Sequence, residues 1–461
     1  MINTPKVLDS IVKNNLCIGC GLCVYKCRKN ALKMNWNKYG FLIPELTGNC
    51  DSNGECLSIC PFNPFPEKDI KTETELAQVY LNETKQSHKK IGQYVGIYAG
   101  YAKEFRLTSS SGGIATYILT KLLKKGIVDH IFSVNESAMP NVYYEYNIIS
   151  SSEELLTAAK TKYFPVTLGT VMPKIHELEG KIAIVGVACF IKAIRLAQHT
   201  EPRLREKIPF LVGIICGGIK SRFFTEYLAG KAGVTLGNIQ RPQFRIKDLH
   251  RTAGDYSFGC YDKSDNKEKT IKMRSVGDMW GTGLFKANAC EFCDDVATEL
   301  ADVSLGDAWL PPFSNDGHGT NVIVTRSLLA DNLIQEGVKA SKIQVENLSL
   351  ERFLASQQGS FNHRHTGLPV RLKQARVKNI PISPKRFGSE KVTMDFKIIQ
   401  NLRMKIRQKS LDTWKDIPNA KSFDENMKNY LTWLRISTRI YHYRITNLKR
   451  VRKLISKIKQ L

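Results

Sequence analysis

Cys17-Ile18-Gly19-Cys20-Gly21-Leu22-Cys23-Val24-Tyr25-Lys26-Cys27 spaces four thiols as C-x2-C-x2-C-x3-C, and three more follow at Cys50, Cys56 and Cys60, the last before Pro61. Thiols two residues apart wrap one face of an iron–sulfur cubane, and in a two-cluster arrangement the fourth cysteine of each run ligates the other run's cluster. The spacing therefore assigns Cys17, Cys20, Cys23 and Cys60 to one 4Fe-4S cluster, and Cys27, Cys50 and Cys56 to a second. Asn53 stands where the second run would carry its second cysteine. The second cluster is expected as 3Fe-4S, or as 4Fe-4S with an oxygen ligand from water, Asp51 or Asn53. Zinc fits less well, because zinc sites join two C-x2-C pairs over a longer stretch or mix in histidine. No histidine lies between Cys17 and Cys60.

The chain's 461 residues, 42% hydrophobic, suffice for two or three domains with cores of their own. Twelve cysteines, several in C-x2-C groups, and no N-terminal run of basic then apolar residues lead to the expectation of a reducing cytoplasm. The longest apolar stretch, Ile208 to Ile219, falls well short of the ~20 residues of a membrane-spanning helix. The net charge is +25, and Arg371 to Leu461 alone holds 24 Lys/Arg against 6 Asp/Glu.

The fold class expected is α+β with several domains. Residues 1–65 read as a ferredoxin-like iron–sulfur domain, and 66–90, rich in Lys, Glu, Gln and Thr, as a linker or exposed helix. Residues 91–370 read as an α/β core, with strands at Val95–Ala102, Ile182–Val187, Phe210–Cys216, Val303–Leu305 and Val322–Thr325 and helices such as Gly113–Lys125. Residues 371–461 read as a basic helical tail. Near its end Tyr441, Ile445, Leu448, Val451, Ile455 and Ile458 recur three or four apart among Arg and Lys. Such a helix either lies on an anionic membrane surface, docks on a partner, or covers the core with a solvated basic face. Nucleic acid is not expected, since no aromatic-rich reading surface accompanies the charge.

Five cysteines remain: Cys189, Cys216, Cys260, Cys290 and Cys293. Cys290 and Cys293 form a C-x2-C pair, while Cys189 and Cys216 each follow a strand-like run, where loops of an α/β sheet converge on one edge. The spacing leaves two readings open, a third cluster on Cys189, Cys216, Cys290 and Cys293, or buried free cysteines with an incidental pair. Ser109, Ser110, Ser111, Gly112 and Gly113 precede a helical run. Such a turn offers N–H groups, hydroxyls and a helix dipole to an anion, or is simply a helix N-cap.

Taken together, the chain resembles the family of the coenzyme F420 hydrogenase/dehydrogenase beta subunit over about residues 10–360. The carriers are the cysteine run, SSSGG at 109–113, KTKYF at 160–164, IVGVACF at 184–190, ICGGIKS at 215–221, FRIKD at 244–248, CEFCDD at 290–295 and ELADVSLGDAW at 299–309. The resemblance implies an iron–sulfur flavoprotein oxidoreductase whose core has N and C parts meeting near residue 180. It also implies a third cluster on the four core thiols and FAD at the serine–glycine loop. It further points to Lys162, Tyr163, Gly186, Lys220, Arg245, Lys247 and Asp307 as flavin or substrate contacts. The partner implied is a ferredoxin-like carrier or coenzyme F420; relatives also occur with surface-polysaccharide genes. One rival is an electron-transfer subunit with no substrate of its own that feeds a partner enzyme. The family usually has Thr-Pro before the first core cysteine and Gln after it, where this chain has Val187-Ala188-Cys189-Phe190.

Overall fold

The computed structural model describes residues 4–84, 86–277 and 279–458, with side chains as far as Leu448. The N-terminal segment holds two one-turn helices, α1 (Leu22–Tyr25) and α2 (Glu55–Ser58), and a hairpin of β1 (Leu32–Trp36) and β2 (Leu42–Leu46). After it come helix α3 (Glu73–Tyr80) and the small hairpin β3 (Gln86–His88) and β4 (Gly92–Tyr94).

The centre is an eight-stranded mixed sheet. It uses β5 (Gly96–Ala102), β6 (His130–Glu136), β7 (Tyr144–Ile149), β8 (Ile182–Val187), β9 (Phe210–Ile214), β13 (Val303–Asp307), β14 (Asn321–Thr325) and β15 (Ile343–Asn347), in the order β15-β5-β14-β13-β9-β8-β6-β7. The remaining strands, β10 (Ile239–Ile246), β11 (Ser257–Asp262) and β12 (Lys267–Lys272), form a separate antiparallel sheet. In the large sheet β13, β9, β8 and β6 are parallel. Because β14 is antiparallel to both β13 and β5, β5 runs their way too. The loops after β5, β8, β9 and β13 therefore open on one edge.

The strands that read as continuous apolar runs are those covered on both faces. Ile182 and Ile184 of β8 face a core shared with helix α5 (Ala188–Thr200) and the N-terminal segment, while Ala183 and Val185 face a second core beneath helix α4 (Ile114–Lys124). The cluster-binding segment is thus part of one layer of the molecule, with Leu16, Leu22 and Ile59 in the same core as Ile191 and Leu211. Its docking is close: the Leu168 N–H donates to the Cys20 carbonyl, and a side chain at Gly21 would collide with Thr167 and Gly169.

Two expectations change on this ground. Residues 66–90 are not an exposed linker, because α3 packs on α5 and its Glu73 is buried against Lys192 at 3.0 Å. Burial alone would raise the Glu73 carboxyl, but Lys192 and Arg386 overcome this and hold it well below the usual carboxylate range. The C-terminal residues are helical, as α7 (Leu368–Val377), α8 (Met394–Asp416) and α9 (Ala420–Ile458), yet much of that region is interior. Trp414, Phe423 and Met427 join Tyr227 and Phe285 in an aromatic core between helix α6 (Arg222–Lys231) and the small sheet. Arg371, Arg386 and Arg407 bury their charge in ion pairs and polar contacts, so the tail's positive excess is only partly a surface property.

Candidate functional site

Cys17, Cys20, Cys23 and Cys60 line one small cavity with Pro44, Ile59 and Pro61. Burial pushes the thiols of Cys17 and Cys20 up to about 12 and about 11 respectively. Cys23 and Cys60 rise further, through burial first and then each other's neighbouring sulfurs. Four apolar-walled thiols with pKa values raised by burial are stable as thiolates only around a strong positive centre. Main-chain N–H groups aim at several sulfurs, from Gly19 to Cys17 at 3.4 Å, Ala31 to Cys27 at 3.2 Å and Ser52 to Cys50 at 3.3 Å. Such donors stabilise thiolate ligands and tune cluster potential.

Among the described residues no group of three His, Cys, Asp or Glu is gathered tightly enough for a single metal ion. A tetrahedral zinc at about 2.3 Å from each sulfur would draw the sulfurs to about 3.8 Å of one another. A cubane instead spreads its four thiolate ligands over four irons. All twelve cysteines are free. In the second set Cys50 and Cys27 act on Cys56. Asn53 and Asp51 are exposed and bonded within their own turn, Asn53 Oδ1 accepting the Glu55 N–H and Asp51 accepting from Asn53.

The four core thiols converge although a hundred residues separate the first from the last. Cys189 opens α5 after β8, and Cys216 lies two residues beyond β9, the adjacent parallel strand. Cys290 sits in the 3-10 turn Asn288–Phe292, with Cys293 just after it. Burial, then Cys293, Cys290 and Cys216, raise the Cys189 thiol. N–H groups of Gly218 and Ile219 donate to Cys216 and Cys290, each at 3.2 Å. Cys260 stands apart on β11, with Asp262 and Glu268 as its charged neighbours.

Arg364 closes this group. It is 4% exposed and its Nη1 donates to Cys293 Sγ at 2.9 Å, while its guanidinium also donates to the Cys216 and Asp295 carbonyls. It lies in a π-helical turn, Asn362–Thr366, a departure from α geometry that concentrates at functional sites. The neighbouring His363 faces Lys286 at 2.9 Å, and Glu291 pairs with Lys286 at 2.6 Å and Arg371 at 3.4 Å. The carboxylates of the CEFCDD segment therefore hold the thiol loop in place: Asp294 accepts the Arg386 N–H at 3.0 Å, and Asp295 accepts the Glu299 N–H at 2.9 Å. Cysteine spacing gave no sign of Arg364. The only sequence signal is a basic residue between two histidines.

The serine–glycine loop follows β5 and lies at the same sheet edge. The Thr161 N–H donates to Ser110 Oγ at 2.8 Å, Ser111 Oγ donates to the Thr320 carbonyl, and Lys247 Nζ donates to the carbonyls of Arg106, Ser111 and His318. Arg245 pairs with Asp307 at the end of β13 and stacks over Tyr256 and Trp309. Tyr163 packs edge-on against Trp280 and Phe244. Among the described residues, Ser109 Oγ and Arg245 Nε are buried without a hydrogen-bond partner. These unmet polar atoms fit a polar ligand at this edge.

Other expected contacts serve the protein itself. A side chain at Gly112 would meet the Gly100 carbonyl at 2.6 Å, and Gly113 caps α4 at φ +80 with the Phe105 backbone beside it. Packing by itself therefore calls for glycine at both positions. Asn321 Oδ1 accepts the Ile114 N–H at 3.3 Å, so that helix donor is engaged. Lys220 buries its ammonium against Phe224 and Trp280, donating to the Met279 and Leu284 carbonyls. Lys162 donates to the Ala158 and Ala159 carbonyls, and burial pushes it down to about 7. Gly186 is an interior position of β8.

Residues 97–172 match the N-terminal part, and residues 179–351 the C-terminal part, of the coenzyme F420 hydrogenase/dehydrogenase beta subunit. The chain belongs to that family. Residues 11–33 match a 4Fe-4S binding domain, so the beta-subunit core carries an iron–sulfur domain at its N-terminus. Relatives include the coenzyme F420-dependent sulfite reductase of Methanocaldococcus jannaschii, 24% identical over 75% of this chain and 51% of that protein. The chain spans about half the length of that relative. A subunit of the F(420)H(2) dehydrogenase of Methanosarcina mazei is 24% identical over 67% of this chain and 79% of its own length. The coenzyme F420 hydrogenase subunit beta of Methanosarcina barkeri is 25% identical over 51% and 77%. A chain of the F420-reducing [NiFe] hydrogenase complex from Methanosarcina barkeri superposes with a TM-score of 0.49 at 19% identity, covering 65% of this chain and 99% of that one. The family matches stop at residue 351, short of Arg364 and of the whole C-terminal helical region.

Proposed function

We propose that this family member is an iron–sulfur flavoprotein oxidoreductase. It passes electrons along three thiolate-held clusters to FAD at the carboxyl edge of the sheet, where coenzyme F420 or another two-electron substrate reacts. The observation that carries this reading is the continuity of the thiol sets. Cys56 of the second set acts on Cys23 and Cys60 of the first, and Cys20 of the first acts on Cys189 of the core. Three thiol sets whose sulfurs feel one another from set to set suit electron transfer, and a purely structural metal site needs only one of them.

Bound FAD supplies the exchange between single electrons and electron pairs. The chain's residues hold thiolates through N–H donors and Arg364, and offer Ser109 Oγ and Arg245 Nε to the flavin's polar groups. The second set lies beside exposed residues 51–53, where a small acidic carrier such as reduced ferredoxin meets a chain of net charge +25. The alternative, an electron-transfer subunit that feeds a partner enzyme, is favoured by relatives named as subunits.

Anaerobically reduced protein, freed of reductant and mixed with coenzyme F420, separates the two. Re-oxidation of the protein with loss of F420 absorbance supports the main reading. Re-oxidation only by a co-purifying protein supports the alternative, and failure of dithionite to reduce any centre sinks both.

A further inference from the structure

Among its described residues, helix α9 packs one apolar face into the fold and exposes another. Phe423, Met427 and Leu434 are buried, and Tyr441 stacks on Phe396 of α8 at 5.0 Å. Tyr441 and Ile445, on the face that the sequence leaves open to a membrane, a partner or the core, thus lie on the packed side; the side chains of Val451, Ile455 and Ile458 lie outside the described residues. On the opposite side stand Trp433, Ile436, Ile440 and Tyr443, exposed by 64%, 42%, 60% and 72%. Steps of three and four residues put these four on one stripe, about 15 Å long at 1.5 Å per residue.

The charge bordering the stripe is predominantly positive. Lys428, Arg435 and Arg439 are exposed along its flank, and Arg444 borders the other side, where it pairs with Asp395 at 2.9 Å. From Asn426 to Leu461 the sequence has 10 Lys/Arg and no Asp or Glu. A second copy of the chain would bring the same positive charge to the stripe and be repelled.

We propose that this second face of α9 seats the protein on an anionic lipid surface. Trp433 and Tyr443 would lie at headgroup depth with Ile436 and Ile440 dipping between them, and the arginines and lysines would meet lipid phosphates. A linear apolar stripe with interfacial aromatics and a basic border is the pattern of a helix lying in the membrane plane. A tightly folded acidic protein partner would instead call for a contoured pocket, and the stripe is a convex helix surface. Family matches end before this helix begins, so the attachment belongs to this chain's own C-terminal region.

The test is co-flotation of the full-length protein with vesicles of phosphatidylcholine alone or with phosphatidylglycerol. Binding is expected only to phosphatidylglycerol vesicles and should weaken with salt. Arg435→Gln with Arg439→Gln removes two contacts and should weaken binding roughly thirtyfold. Trp433→Ser with Ile440→Ser should abolish it, with unchanged circular dichroism because both side chains are already in water. Equal binding to neutral vesicles, binding unaffected by either pair of substitutions, or no vesicle binding while an acidic protein is retained would each overturn the proposal.

Discussion

Replacing Arg364 by Gln tests how this chain sets the potential of the core site. The guanidinium is 4% exposed and donates to Cys293 Sγ at 2.9 Å. Burial alone would lower its pKa, but Cys293 and Cys216 more than offset that, so it stays charged. A hydrogen bond to a charged group contributes about 1.5–3 kcal/mol. The share of this that is felt more strongly by the reduced, more negative centre appears as potential, at about 59 mV per 1.4 kcal/mol for one electron. Full conversion sets a ceiling of about 60–130 mV. The neutral side chain disfavours the reduced form, so the midpoint should fall. Arg364→Lys keeps the charge but loses the fork and should fall less. The assay is a redox titration followed by electron spin resonance, with iron measured in every sample. An unchanged midpoint in Arg364→Gln at full iron content would refute the role given to this residue.

Asn53→Cys should raise iron per chain and slow its loss in air, since it supplies a thiolate where the second run lacks one; unchanged iron and resonance spectra would remove Asn53 from that position. Ser109→Ala deletes a buried, unpartnered hydroxyl and should lower retained FAD without lowering the melting temperature, whereas full FAD would contradict its place at the flavin. Gly112→Ala forces a contact at 2.6 Å and should cost about 1–3 kcal/mol of stability; a melting temperature equal to the wild type's would refute the packing argument. Lys162 has a folded pKa near 7, below the ordinary lysine value of about 10.4. The unfolded chain therefore binds more protons between those values, and stability should rise with pH from about 7 to about 10. Lys162→Met should flatten that rise in denaturant titrations, and an unaltered slope would count against it.

The sequence made the iron–sulfur domain legible because ligation to a cubane is written in local spacing, from Cys17 to Cys27. Strands such as Ile182–Val187 were legible because a strand buried on both faces reads as an unbroken apolar run. Sheet order was not, since bringing the loop after β5 beside Asp307 depends on β14 pairing with both β5 and β13. Gly112 shows a different limit: a Ser/Gly-rich turn looks the same in sequence whether a ligand or the chain's own carbonyl requires the glycine. Arg364 has no spacing rule to announce it. In α9 the periodicity showed one apolar face, and only the packing against α8 reveals that this face is occupied and that Trp433 and Tyr443 mark another.

The most direct test of the account is iron, acid-labile sulfide, zinc and flavin measured per chain on anaerobically purified protein. Three sites, one of them short of a thiolate, predict about 11 to 12 irons with matching sulfide, one FAD and no zinc. Four irons or fewer, or zinc in place of iron, would contradict the file of clusters on which the proposed function rests.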